Sequence, residues 1–307
     1  MIQIKKMTYG GWPNCYSISN GQIELIATTD VGPRIIFFGF LHGENQFYEK
    51  LDESGKTGGQ EWRIYGGHRL WHAPEDPKRT YVPDNYPVEI TQLEGGVRLT
   101  APIESNGVQK VIEIHLSDTA AQARVNHILI NHGAWAIPVS PWGLSVMRAG
   151  GMAIIPHTER SSHTQSLNST HSLTLWGYTL MNDPRWTWGG RYIYLKQDES
   201  ISSPQKLGIL NTQGWAAYLR KGCLFLKNFS YVPGAAYPDI NSNFEIFTNH
   251  LFMELESLGP LTQLEPGGKT EHWEEWRLFN GISTPSSEDE VEKLIFALLE
   301  SSPGNPA

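Results

Sequence analysis

Short strand-like runs recur from one end of this chain to the other, and that recurrence constrains the fold more than any other feature. Examples are "GQIELIATT" (21–29), "GPRIIFFGF" (32–40), "GVRLTAPIE" (96–104), "KVIEIHLSD" (110–118) and "ARVNHILINHG" (123–133). The second half continues with "MAIIPHT" (152–158), "YIYLKQD" (192–198), "WAAYLRKGCLFLKNFS" (215–230), "FEIFTNHLFMELESLG" (244–259) and "TEHWEEWRLF" (270–279). A period of two puts successive side chains on opposite faces of a strand, so one face can be buried. "NGQ" at 20–22, "NGV" at 106–108 and "KGC" at 221–223 read as hairpin corners. Helical segments do not alternate with these runs, which disfavours a parallel α/β sheet. The expectation is a mainly β, antiparallel architecture over residues 1–307 as a single domain. One helix is expected, at 287–300: Ser287 and Glu290 have capping-box spacing, and Val291, Leu294, Ile295, Leu298 and Leu299 form one stripe. The tail 302–307 is expected to fray.

Composition narrows the function classes. The formal net charge is −8, with no basic block to track phosphates, so nucleic acid is not expected as a partner. No run of about 18 apolar residues is present, so no membrane span is expected. Cys15 and Cys223 are the only cysteines, which suits a reducing compartment, and a cytoplasmic location is expected. Eleven tryptophans and twelve tyrosines exceed ordinary usage. Most belong in a large β core, and a few are candidates for stacking on sugar rings.

Three stretches carry the chemistry. In "LFMELESLGPL", Leu251, Met253 and Leu255 share one strand face, and Phe252, Glu254 and Glu256 the other. Two carboxylates placed side by side raise each other's pKa. In "HILINHGAW", His132 stands where a strand gives way to a bend, a position from which an imidazole could reach a cleft. "YGGHRLWHAPE" (65–75) gathers His68, Arg69, Trp71 and His72. The two histidines would share a face on a helix, as zinc ligands do, but the flanking Gly-Gly and Ala-Pro shorten any helix there. A loop or strand end carrying His, Arg and Trp to a ligand is the preferred reading, and no metal is expected. "PGAAYPDINSNFE" (233–245) adds Asp239, Asn243 and Glu245 as a polar rim or a simple connection.

The chain resembles the galactose mutarotase-like, or aldose 1-epimerase-like, superfamily, and more narrowly a branch of it that carries a domain-of-unknown-function label. The narrow resemblance rests on "GPRI" (32–35), "GGHRLWHAPE" (66–75), "NHGAWAIPVSPWGLSVMRAGG" (131–151), "GWAAYLRKGCLFLKNF" (214–229) and "MELESLGPLTQLEPGGKTEHWEEWRLF" (253–279). It implies a β-supersandwich and anomer interconversion by ring opening. The implied base is Glu256, and the implied acid is His132 of the Asn131-His132 pair. His68, Arg69, His72, Glu254, Trp71 and Asp239 would hold the substrate, with Trp142 or Trp188 near the rim. The substrate would be a sugar or a sugar phosphate facing Arg69 or Arg148, with no cofactor. A carbohydrate-binding protein without activity, or a lyase- or hydrolase-related enzyme, would fit the same scaffold.

Overall fold

The computed structural model describes residues 2–160, 162–165 and 167–300. The chain opens with strands β1 (Gln3–Tyr9), β2 (Trp12–Ser19), β3 (Ile23–Thr28) and β4 (Arg34–Phe40), and a long loop leads to β5 (His68–Ala73). A meander follows: β6 (Glu89–Leu93), β7 (Gly96–Thr100), β8 (Val108–Leu116), β9 (Gln122–Asn131) and the long β10 (Ile137–Arg148). Next come β11 (Met152–Pro156), β12 (Leu173–Leu175), β13 (Trp186–Trp188), β14 (Tyr192–Lys196) and β15 (Gln205–Ile209). The chain closes with β16 (Trp215–Arg220), β17 (Cys223–Phe229), the helical turn α1 (Pro238–Asn241), β18 (Phe244–Thr248), β19 (Phe252–Leu258), β20 (Thr262–Leu264), β21 (Lys269–Phe279) and the helix α2 (Glu288–Glu300).

These strands form two antiparallel sheets. One runs β1-β2-β3-β4-β5-β10-β19-β18-β15-β12, with β20 paired to β10, and the other runs β13-β14-β11-β16-β17-β21-β9-β8-β7-β6. The main core lies between them and takes Leu70, Met253 and Leu255 from the first sheet and Ile112, Phe225 and Trp276 from the second. Each hairpin corner sits where the turn residues put it: Gly21, Gly107 and Gly222 all have positive φ, at 89°, 84° and 76°.

Helix α2 packs Val291 and Ile295 on the outer face of the second sheet, against Ile154, Trp215 and Leu226. Ser287 accepts a hydrogen bond from the Glu290 N–H at 3.2 Å, the expected cap. The return contact differs from the expected box, because the Glu290 carboxylate takes the N–H of Ser286. The expected tail at 302–307 lies outside the described residues. No helix among the described residues is long and apolar enough to cross a membrane.

The stretch 65–75 departs from expectation. Its middle, His68–Ala73, is neither a loop nor a helix but the interior strand β5, hydrogen-bonded between β4 and β10 and buried at every residue. With both faces covered, polar and apolar residues need not alternate, and the sequence signal for a strand disappears. The preceding glycines are required there. A Cβ on Gly66 would stand 2.0 Å from the Tyr48 carbonyl oxygen, and one on Gly67 2.3 Å from that of Ile35.

Candidate active site

The outward face of the first sheet gathers its side chains from five neighbouring strands. Arg69 and Trp71 come from β5, Trp142 and Leu144 from β10, Glu254 and Glu256 from β19, Phe247 from β18 and Lys206 from β15. Cross-strand register aligns them. Leu144 stands opposite both Arg69 and Glu256, Glu256 opposite Glu245, and Phe247 opposite both Glu254 and Lys206. Together with Trp62, Tyr81, Tyr178 and Phe252 they enclose a cavity of about 240 Å³. That is room for roughly eight waters at ~30 Å³ each, the scale of one small sugar. A larger depression of about 510 Å³, lined by Gln22, Phe40, Arg277 and Leu298 among others, has no carboxylate or imidazole in its wall.

One wall of the cavity is aromatic. The Trp71 ring lies 5.2 Å from that of Trp62 and 4.8 Å from that of Tyr81, and the Arg69 guanidinium sits 4.3 Å over Trp71. The floor is charged. Arg69 pairs with Glu254 at 2.8 Å, and Lys206 pairs with Glu245 at 2.7 Å and with Glu256 at 3.1 Å. Lys206 also faces the Trp142 and Trp176 rings at 4.8 and 4.6 Å. Glu256 is fully buried; its Oε2 accepts the Trp142 indole N–H at 3.0 Å, while Oε1 has no partner.

Burial pushes the Glu256 carboxyl up to about 7; Lys206 and Arg69 pull it down, and Glu254 pushes it up further. Burial also raises Glu245 well above the carboxylate range against the pull of Lys206. Burial opposes the charge on Lys206, but Glu256 and Glu245 outweigh it and hold the ammonium well above its ordinary range.

Of the residues singled out in the sequence, Arg69, Trp71, Trp142, Glu254 and Glu256 line this cavity. The expectation that the histidines share it is corrected. Residues alternate along β5, so His68 and His72 face the opposite way from Arg69 and Trp71, into the space between the sheets. His68 meets Ser145 through Nδ1 at 2.9 Å and His127 of β9 through Nε2 at 2.6 Å, which ties one sheet to the other. His132 follows β9 in the second sheet, is exposed, and pairs its Nε2 with Gln109 at 3.0 Å. No histidine lines the cavity.

Asp239 lies in α1, where its backbone oxygen accepts bonds from Thr174 and Ser242, and it does not line the cavity. Trp188 belongs to β13 of the second sheet and stacks on Trp186. Arg148, at the end of β10, is exposed and outside the cavity. One floor residue was missed: Lys206 stands in "SSPQKLGIL", where a lone lysine carries no signal. Glu245, expected on a polar rim or a simple connection, lies buried in β18 behind the cavity floor and pairs with Lys206.

Among the described residues, one group of donors is close enough to hold a metal ion: His68, His127 and Glu274, whose ligand atoms lie within 4.8 Å of one another. The Lys227 ammonium stands 2.8 Å from Glu274, where a cation would be repelled, and His72 takes no part. This cluster fits a packed polar tie between the sheets better than a metal centre.

No family model and no curated protein matches the chain. Solved structures do match. A galactose mutarotase-like protein from Lactobacillus casei superposes with a TM-score of 0.55 at 12% identity, over 87% of this chain and 100% of its own. The Slr1438 protein of Synechocystis sp. PCC 6803 gives 0.57 at 12% identity, over 91% and 100%. The fold is that of the galactose mutarotase-like proteins. A TPR-domain containing protein from Parabacteroides distasonis gives 0.58 at 14% identity over 89% of this chain, which spans only 49% of that protein's length.

Proposed function

We propose that the cavity binds a single aldose and that Glu256 exchanges protons with its anomeric centre, interconverting the anomers. The observation that carries this reading is the setting of Glu256: a buried carboxyl on the floor of a sugar-sized, aromatic-walled cavity, with its pKa at about 7. A group poised near neutrality can both accept and return a proton. Glu256 takes the proton of the C1 hydroxyl, the ring opens, C1 rotates, and closure gives the other anomer. The ring oxygen needs a proton donor. In place of a histidine, the Tyr178 hydroxyl lines the cavity without a hydrogen bond, and we assign it that role; burial holds its pKa up at about 12. The ring faces of Trp62 and Trp71 suit the apolar C–H face of a sugar.

Charge favours an uncharged sugar over a sugar phosphate. Both cations lining the cavity, Arg69 and Lys206, are already paired with carboxylates, and Arg148 lies outside it. A second reading, a sugar-binding protein without catalysis, draws on one fact: no imidazole faces the cavity. NMR exchange spectroscopy across a panel of aldoses and their phosphates, with calorimetric titration of the same panel, tests both. Acceleration of anomer exchange is expected for an uncharged aldose. Glu256→Gln should lower the rate by ~10²–10⁴-fold with saturable binding retained. Binding without acceleration in the unmodified protein would leave the second reading standing, and neither binding nor acceleration would end both.

A further inference from the structure

The floor of the cavity holds an uneven number of charges, and the surplus has a consequence for Glu256. Every element packed around this carboxylate contributes a charged or polar group. β5 contributes Arg69 and β19 itself contributes Glu254, which neutralise each other at 2.8 Å. β10 contributes the Trp142 indole N–H, a donor without charge. Behind the sheet, β17 contributes Lys227 and β21 Glu274, a second neutral pair at 2.8 Å. Tyr178 and the exposed Glu75 also line the cavity. Asp239 of α1 adds a further negative charge toward Glu245. What remains within pairing distance is one ammonium, Lys206 of β15, shared by two carboxylates, Glu245 of β18 and Glu256 of β19. Both carboxyls are 0% exposed.

Glu245 and Glu256 are direct cross-strand partners, a placement in which Cβ atoms stand ~5 Å apart and two like charges destabilise the sheet. The Oε1 atoms of both lack a hydrogen-bond partner. One uncompensated negative charge on two buried carboxyls is costly, and binding one proton removes it.

We propose that Glu245 and Lys206 are positioning residues for Glu256, dividing one ammonium between two buried carboxylates so that the pair retains a single proton around neutral pH. The proposal rests on the reading of Glu256 as the proton-exchanging group. Glu245 need not touch the sugar; it acts by drawing Lys206 away from Glu256. Without Glu245, Lys206 would pair with Glu256 alone, and that carboxyl would ionise at lower pH.

The test is a pH titration of the full-length protein by difference infrared spectroscopy, which reads the carbonyl band of a protonated, buried carboxylic acid. The unmodified protein is expected to show one such acid per chain, lost around neutrality. Glu245→Gln should move that midpoint acidward by at least about one pH unit, a tenfold loss of proton affinity. Glu245→Asp keeps a carboxyl in place and should keep the titration near neutrality, which also covers the case where the glutamine variant fails to fold. A midpoint unmoved in Glu245→Gln, or no protonated acid in the unmodified protein, would overturn the proposal. Where anomer exchange is measurable, the acid limb of its pH profile should move with the infrared midpoint. Absence of exchange with the infrared titration intact would count against the functional reading alone.

Discussion

Arg69 shows how much one residue of this site contributes to stability as well as to its chemistry. Its guanidinium is 2% exposed, stacks on Trp71, and pairs with a Glu254 side chain that is 10% exposed. Removing one partner of such a pair strands a charge out of water, at a cost of about 3–5 kcal/mol. Arg69→Gln should therefore lower the unfolding free energy by about that amount in urea. Adding Glu254→Gln should restore part of it, because the stranded carboxylate is gone; purely additive losses would show that the two side chains are not coupled. The sequence marked Arg69 and Trp71 by residue type, and Glu254 and Glu256 also by alternation along their strand. It could not mark Lys206, since one lysine in an apolar strand looks the same whether it meets solvent or two carboxylates. Nor could it exclude His132, which has the right chemistry on the wrong sheet.

At the scale of the element, β5 decides which side chains reach the cavity. It crosses the middle of the first sheet directly after two glycines, each with a neighbouring carbonyl where a side chain would go. Gly67 has φ 73° and no room for a Cβ, whereas Gly21 has φ 89° and nothing within 4 Å. Gly21→Ala should cost only the backbone term, roughly 1–2 kcal/mol. Gly67→Ala should cost clearly more in the same thermal or urea unfolding measurement, because the Ile35 carbonyl of β4 must move as well. Equal losses at the two sites would show that β5 tolerates displacement. Such a displacement would also misplace Arg69 and Trp71, since a one-residue slip turns every side chain to the opposite face.

Across the whole molecule, the space between the sheets holds several imidazoles kept neutral. Burial lowers the pKa of His68 and His272 well below 6.5, lowers that of His127, and lowers that of His72 to about 3. Below pH 6.5 the unfolded chain protonates these four groups and the folded chain resists, so the unfolded state binds more protons and stability falls with pH. Glu256 and Glu245 act in the opposite sense. Their folded pKa values are raised, to about 7 for Glu256, so the stability they contribute at low pH is lost as pH rises from 4.5 through about 7. Four imidazoles outnumber the single proton that the Glu245–Glu256 pair holds. Stability should climb from pH 4.5 to about 6.5 and then turn over as Glu256 ionises. Urea midpoints across that range check this, and a monotonic fall with rising pH would contradict it. The sequence by itself determined the antiparallel β class, the hairpin corners, the C-terminal helix with its Ser287 cap, and the shared face of Glu254 and Glu256. Each follows from neighbours along the chain: a period, a turn pair, a cap. Only the tertiary structure decided that β5 is an interior strand, that His68 joins the sheets and His72 is buried between them while Arg69 and Trp71 face the cavity, and that Lys206 and Glu245 stand beside Glu256. Those facts depend on which strands lie next to each other and which face is covered, and residues 50 positions apart carry no local trace of their meeting.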